Sequence, residues 1–131
     1  MNLNSLHGIL FNTYILYVVV LGVWSAVTAA RAESISGNFW GAVATSAVLA
    51  GAVTLVGLAM TLQGLRPERI VVYYLYMAFL IVIMPGLFTM LRGRDDRSAA
   101  IAFSILAFFN AATALSMWQR NILGPWVVPA A

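Results

Sequence analysis

The sequence predicts an all-α integral membrane protein, a four-helix up-and-down bundle, and three observations carry that expectation. Four apolar segments follow one another, at about residues 6–30, 39–63, 70–91 and 99–118. Each reaches the roughly 20 residues that a helix rising ~1.5 Å per residue needs to cross a hydrocarbon core about 30 Å thick. The seven arginines and four acidic residues all fall between these segments or after the last. Hydrophobic residues make up 63% and charged residues 8%, against about 45–50% and about 25% in soluble domains, so residues 1–131 read as one transmembrane domain.

The first segment is apolar over a run far longer than the roughly 7–15 residues of a signal-peptide core, and no basic residue precedes it. Ala30-Arg31-Ala32 has the small-x-small form of a cleavage site, yet the length argues for a retained span. Tyr14 and Tyr17 lie in its first half. His7, the only histidine, reads as an interfacial residue bonded to a headgroup or to backbone.

The second segment is rich in Ala, Gly, Ser and Thr. Small residues recur at i,i+4: Ser46 with Ala50 and Thr54, Ala47 with Gly51, Gly57 with Thr61. The fourth repeats the pattern in Ala100 with Ser104 and Ala107 with Ala111. Such rows let backbones approach closely, and in lipid that dispersion contact replaces the missing hydrophobic drive. The expectation is that helices two and four form the packed centre, with Asn110 near mid-span as hydrogen-bonding glue.

The third segment opens after Arg66-Pro67-Glu68-Arg69, where Pro67 suits the first helical turn and Glu68 complements its positive end. Tyr73, Tyr74 and Tyr76 follow, and Pro85 beside Gly86 predicts a kink near residues 81–85. The fourth is preceded by Asp95 and Asp96, either of which, or Ser98, can cap it. Arg92, Arg94 and Arg97 read as anchors to lipid phosphates, with Trp118 and Trp126 as interfacial aromatics. The tail, residues 120–131, is apolar and broken by Pro125 and Pro129, and reads as docked on a partner or on the membrane surface.

Up-and-down threading puts both termini on one side. Arginines then divide four (Arg31, Arg92, Arg94, Arg97) against three (Arg66, Arg69, Arg120), so the positive-inside rule favours external termini by one residue, a margin that also suits dual topology. The same threading gathers all five tyrosines in the leaflet of the termini, with Asn110. Two readings stay open there. One is an aromatic belt with Asn110 as glue; the other is a pocket in which Tyr14, Tyr17, Tyr73, Tyr74 and Asn110 orient a quinone, a carotenoid or other pigment, or a lipid headgroup.

Residues 63–69, Gln-Gly-Leu-Arg-Pro-Glu-Arg, followed after three residues by Tyr73-Tyr74-Leu75-Tyr76, resemble a pattern in small four-span bacterial membrane proteins, which in turn resemble half of a haem A synthase. The resemblance covers residues 55–98 and implies a cytochrome-b-like bundle in a bacterial inner membrane. Where that pattern has histidine this chain has Tyr73, which removes the axial ligand and argues against haem.

Composition excludes more than it selects. Without cysteine there is no disulfide, thiolate metal site or thiol nucleophile. No Asp, Glu, Lys or Arg lies inside a span. Central charges cost about 2.5–3.5 kcal/mol and persist mainly for ion paths and proton relays, so a transporter or channel ranks last. The net charge of +3 comes without the clustered basic face that nucleic acid requires. The functional expectation is a non-enzymatic accessory or structural subunit of a larger membrane complex, respiratory or photosynthetic, in contact with lipid and with other subunits or copies of itself. A quinone-, pigment- or haem-binding bundle is the alternative.

Overall fold

The structure, a computed structural model, describes residues 3–65, 70–91 and 94–119, and among these it has four helices. Helix α1 runs Leu3–Ala30, α2 Gly37–Leu62, α3 Ile70–Leu91 and α4 Arg97–Gln119. All four are long and apolar enough to span a membrane, and the chain is a small four-span integral membrane protein in contact with the bilayer. The expectations on residues 66–69, Arg92, the Trp118 side chain, Trp126 and the tail lie outside the described residues.

Backbone chemistry explains the turns. Helix α1 ends with Ala32 in the left-handed region at φ 53°. The Glu33 N–H donates to the Thr28 carbonyl and the Ala32 N–H to that of Ala29, which is a Schellman closure with alanine in the usual glycine position. Helix α2 starts on Ser36, whose hydroxyl accepts from the Phe39 N–H at 3.2 Å. It closes in the same way on Gly64 at φ 88°, with Leu65 N–H to Met60 O and Gly64 N–H to Thr61 O. Among the three candidate caps of α4 the structure selects Asp96, whose Oδ1 accepts from the Ala99 N–H at 3.0 Å. An Ile35 N–H bond to the Asp95 carbonyl, 2.9 Å long, ties the α1–α2 and α3–α4 linkers together at one end. Helix α3 continues through Pro85 to Leu91.

The buried faces follow one rule. They read His7, Phe11, Tyr14, Val18, Leu21, Ser25 on α1; Phe39, Val43, Ser46, Ala50, Val53, Gly57, Met60 on α2; Tyr73, Met77, Leu80, Met84 on α3; and Ala100, Phe103, Ala107, Asn110, Ala114, Met117 on α4. Steps of three and four residues alternate throughout, so each seam repeats every 3.5 residues, as in bundles whose helices cross at about +20°. The core divides in two along the bundle. One half, near the termini, gathers Phe11, Tyr14, Met60, Tyr73, Met77 and Met117; the other, near the two linkers, gathers Leu21, Phe39, Val43, Met84, Ala100 and Phe103.

Neighbours are α1 with α2, α2 with α3, α3 with α4, and α1 with α4; the α1–α4 pair is the most extensive and the α3–α4 pair the sparsest. Helices α2 and α4 lie diagonally and do not form the packed centre expected from their small residues. The reason is connectivity: short turns make consecutive helices adjacent, ring closure brings α1 to α4, and a small-residue row admits a close neighbour without choosing it. The row on α4 serves α1. At the α1–α4 contact a Cβ on Gly22 would stand 2.9 Å from the Phe108 ring.

Candidate functional site: the inward polar side chains

Among the described residues, the inward polar side chains that bond from helix to helix lie in the terminal half or the linker half of the bundle. In the terminal half, His7 Nε2 and the Tyr73 hydroxyl are hydrogen-bonded at 2.6 Å across the bundle, both buried. Tyr73 packs edge-on against Tyr74 at 5.0 Å, and the Tyr74 hydroxyl is 2.8 Å from Thr61 Oγ1. Gly57 makes room for this group, because a Cβ there would stand 2.5 Å from the Tyr73 oxygen. One level deeper, Asn110 Nδ2 donates to the Tyr14 hydroxyl over 3.4 Å. Asn110 is fully buried, and its Oδ1 has no partner among the described residues.

In the linker half the polar contacts change character. Ser25 Oγ donates to the Ala100 carbonyl and Ser104 Oγ to that of Gly22 at 3.0 Å, so two hydroxyls cross the α1–α4 seam in opposite directions. Tyr17 donates to the Ala42 carbonyl at 2.7 Å, joining α1 to α2. Around them the rings of Trp24, Phe39, Trp40, Phe88 and Phe103 meet edge-to-face, bringing in all four helices.

The residues predicted from sequence are thus placed unevenly. Tyr14 with Asn110 and Tyr73 with Tyr74 occupy the terminal half, but Tyr17 lies near the middle of the 28-residue α1 and packs against the linker half. That corrects the expectation of five tyrosines in one leaflet; the first helix begins at Leu3, so its midpoint comes at Tyr17. His7 is buried at 1% exposure on Tyr73, not set among headgroups. Of the packing residues, Ser46, Ala50, Gly57, Ala107, Asn110 and Ala111 are buried, while Thr54 and Gly51 are half-buried and Gly51 has open space where a Cβ would stand. Ser46 and Thr54 bond to carbonyls of their own helix, at Val43 and Ala50. Sequence reading missed His7, Ser25 and Gly22 as inward groups, and it had Ser104 in a packing row without its bond to α1. The available signal was register: three- and four-residue steps from Tyr14 lead to His7 and Ser25.

Outside the core, Arg94 and Arg97 are exposed at the linker end. Arg94 pairs with Asp96 at 2.8 Å. That guanidinium, followed by the Ala99 N–H, holds the Asp96 carboxyl below its ordinary pKa. Among the described residues no three His, Cys, Asp or Glu side chains converge as metal ligands would.

Apolar hollows flank α3. One of about 190 Å³ lies toward α2 at Trp40, Pro85 and Phe88. Two lie toward α4: about 400 Å³ at Val72, Tyr76, Phe79, Phe109 and Thr113, and about 690 Å³ at Val82, Gly86, Met90, Ala102, Ile105 and Phe109.

No protein-family model, curated protein or solved structure matches this chain. The fold defines the class: an all-α, four-span integral membrane bundle.

Proposed function

We propose that this protein is a non-enzymatic accessory or structural subunit that packs laterally in a larger membrane assembly. One observation carries the reading: most of the inward polar side chains join helix to helix, with Ser46 bonding within its own helix. His7 meets Tyr73, Tyr14 meets Asn110, Tyr74 meets Thr61, Tyr17 meets a carbonyl of α2, and Ser25 and Ser104 stitch α1 to α4. Groups engaged in this way serve assembly, and such bonds in membranes average about 0.6 kcal/mol each. The outer surface is apolar along all four helices, including Leu16, Val48, Leu55, Val71, Leu75 and Ile105, which suits burial against lipid or other spans. An electron-transfer setting in a bacterial inner membrane, with external termini, follows from the resemblance of residues 55–98 and the arginine count.

A tagged chain extracted from its native membranes in mild detergent tests this. It should migrate in an assembly far larger than its own 14.2 kDa, and deleting it should lower the yield of that assembly. Migration only as a small particle of its own copies would refute the reading.

A second reading, a bundle holding a quinone, pigment or haem, is favoured by the unpartnered Asn110 Oδ1 beside the Tyr14 hydroxyl. A visible absorption band or a stoichiometric quinone in extracts of the purified chain, lost in Asn110→Leu, would decide for it. Haem is the least favoured ligand, because His7 already engages Nε2 with Tyr73.

A further inference from the structure

Past Pro85, α3 is held differently from the rest of the bundle. Its buried residues are Tyr73, Met77, Leu80 and Met84, and none of residues 85–91 is fully buried. At the same end of the bundle the other helices bury Leu21 and Ser25, Phe39 and Val43, and Ala100 and Phe103. Tyr73 and Tyr74 make the hydrogen bonds from α3 to other helices, and Tyr76 is engaged as well, all in its first half. Among the described residues, none from 85 to 91 bonds to another helix; the one side-chain hydrogen bond there, from Thr89, stays within α3. The segment is held instead by half-buried Leu87 and Leu91 on the linker-half core, and by the Phe88 ring edge-on to Trp40 at 4.9 Å.

The backbone at the start of this segment is weakened at each of residues 85, 86 and 89. Pro85 has no N–H for the Ile81 carbonyl and its ring crowds that oxygen, a common cause of bending in helices. Gly86 has no side chain to restrict its backbone, and no atom lies within 4 Å of the position a Cβ would take. Thr89 Oγ1 donates to the Pro85 carbonyl at 3.0 Å, a bond back to residue i−4 that favours bending. Hollows lie on both flanks, at Trp40 and Ala44 toward α2 and at Ala102 and Ile105 toward α4. Few buried contacts and no bonds to other helices are the marks of a segment that moves apart from its neighbours.

We propose that residues 85–91 form a hinged arm, which pivots at Pro85–Gly86 between a position latched to α2 by Phe88 on Trp40 and one swung toward α4. The swung position uncovers Trp40 and, behind it, Phe39 and Phe103, whose rings stand 6.2 and 5.4 Å from the Trp40 ring. The larger hollow lies on the α4 side, which sets the direction. Beyond the arm, the bond from the Ile35 N–H to the Asp95 carbonyl tethers the following linker, so the arm moves sideways without coming free. This device is independent of the subunit reading above.

The test uses the full chain in phosphatidylcholine vesicles, with spin labels on pairs of introduced cysteines and their separation read by pulsed dipolar electron spin resonance. Val23→Cys with Met90→Cys spans the diagonal helices α1 and α3 at the arm, and Ile9→Cys with Leu75→Cys spans the same helices before the hinge; all four sites are exposed. The Val23–Met90 distribution should be the broader of the two, with a second population. Pro85→Ala with Gly86→Ala, which restores the N–H and meets open space, should remove that population and narrow the distribution to the width of the Ile9–Leu75 pair. Phe88→Ala, which removes the latch, should enlarge it. A Val23–Met90 distribution as narrow as that of Ile9–Leu75, or a breadth that survives the double alanine variant, would overturn the proposal. Circular dichroism identifies a variant that fails to fold; Phe88→Ala then decides, and an unchanged distribution in it would overturn the proposal equally.

Discussion

At the scale of single residues, the closest fit in the molecule is Gly57 beneath the Tyr73 hydroxyl. Tyr73 is fully buried and held by His7, so it cannot swing away to admit a methyl group placed 2.5 Å from its oxygen. Gly57→Ala should therefore lower stability by about 1–3 kcal/mol, the usual cost of overpacking. Tyr73→Phe should recover part of that loss by removing the oxygen. Thermal denaturation of the two single variants and the double variant measures the coupling, and strictly additive losses would show that the two side chains do not meet. Asn110 is a different case. Its one bond is long at 3.4 Å and its Oδ1 is unpartnered, so Asn110→Leu exchanges a weak bond for relief of a buried carbonyl. The change in stability should stay within about 1 kcal/mol, near the average of interhelical bonds in membranes. A loss of several kcal/mol on the same denaturation assay would mean that Asn110 is held by more than Tyr14.

Helix ends supply the predictions at the scale of elements. Alanine in the left-handed region at Ala32 carries a penalty of about 1–2 kcal/mol that glycine avoids. Ala32→Gly should raise stability by about 0.5–1 kcal/mol after the entropy cost of glycine is deducted; a lower melting temperature in the variant would contradict the Schellman closure. At the start of α4, Asp96 caps the Ala99 N–H and pairs with Arg94. Its pKa is lowered in the folded state, principally by Arg94, so its stabilisation is complete above the unfolded-state pKa and is lost as pH falls through the depressed folded value. Asp96→Asn keeps an acceptor for Ala99 and should remove that acid dependence, and the difference should shrink at high salt because the pair is exposed. Melting temperatures of both forms across the acid range, at low and high salt, provide the check. Identical acid profiles would rule the pairing out.

How far the sequence could be read changes with scale for a physical reason. Four spans and their order were legible because length and charge placement depend on bilayer thickness, which acts on each segment separately. Which helices touch was not. In water an inward face is marked by apolar residues, whereas here Leu16, Val48 and Ile105 face outward and are as apolar as anything inside. The inward faces add polar and small groups to an equally apolar core: His7, Tyr14, Ser25, Ser46, Gly57, Ser104 and Asn110. Small-residue rows on α2 and α4 were visible but named no partner, so their pairing with each other was expected and pairing of α4 with α1 was found. The tyrosines were visible too. Their hydroxyls turned out to be distributed over His7, Asn110, Thr61 and the Ala42 carbonyl.

At the scale of the whole molecule, α1 is bound to α4 by two serine hydroxyls and an amide, while α3 has hollows on both flanks at Pro85 and Gly86. The bundle thus has a bonded side and a loosely packed side. The arrangement in which α4 closes on α1 and lies diagonal to α2 underlies the scaffold reading. It is tested most directly by disulfide crosslinking in native membranes, because the chain has no cysteine of its own. Ser25→Cys with Ala100→Cys, whose parent residues are joined by a hydrogen bond between α1 and α4, should crosslink rapidly and in high yield. Ser46→Cys with Ala107→Cys, inward positions on the diagonal helices α2 and α4, should not. Crosslinking of the α2–α4 pair in preference to the α1–α4 pair would contradict the arrangement.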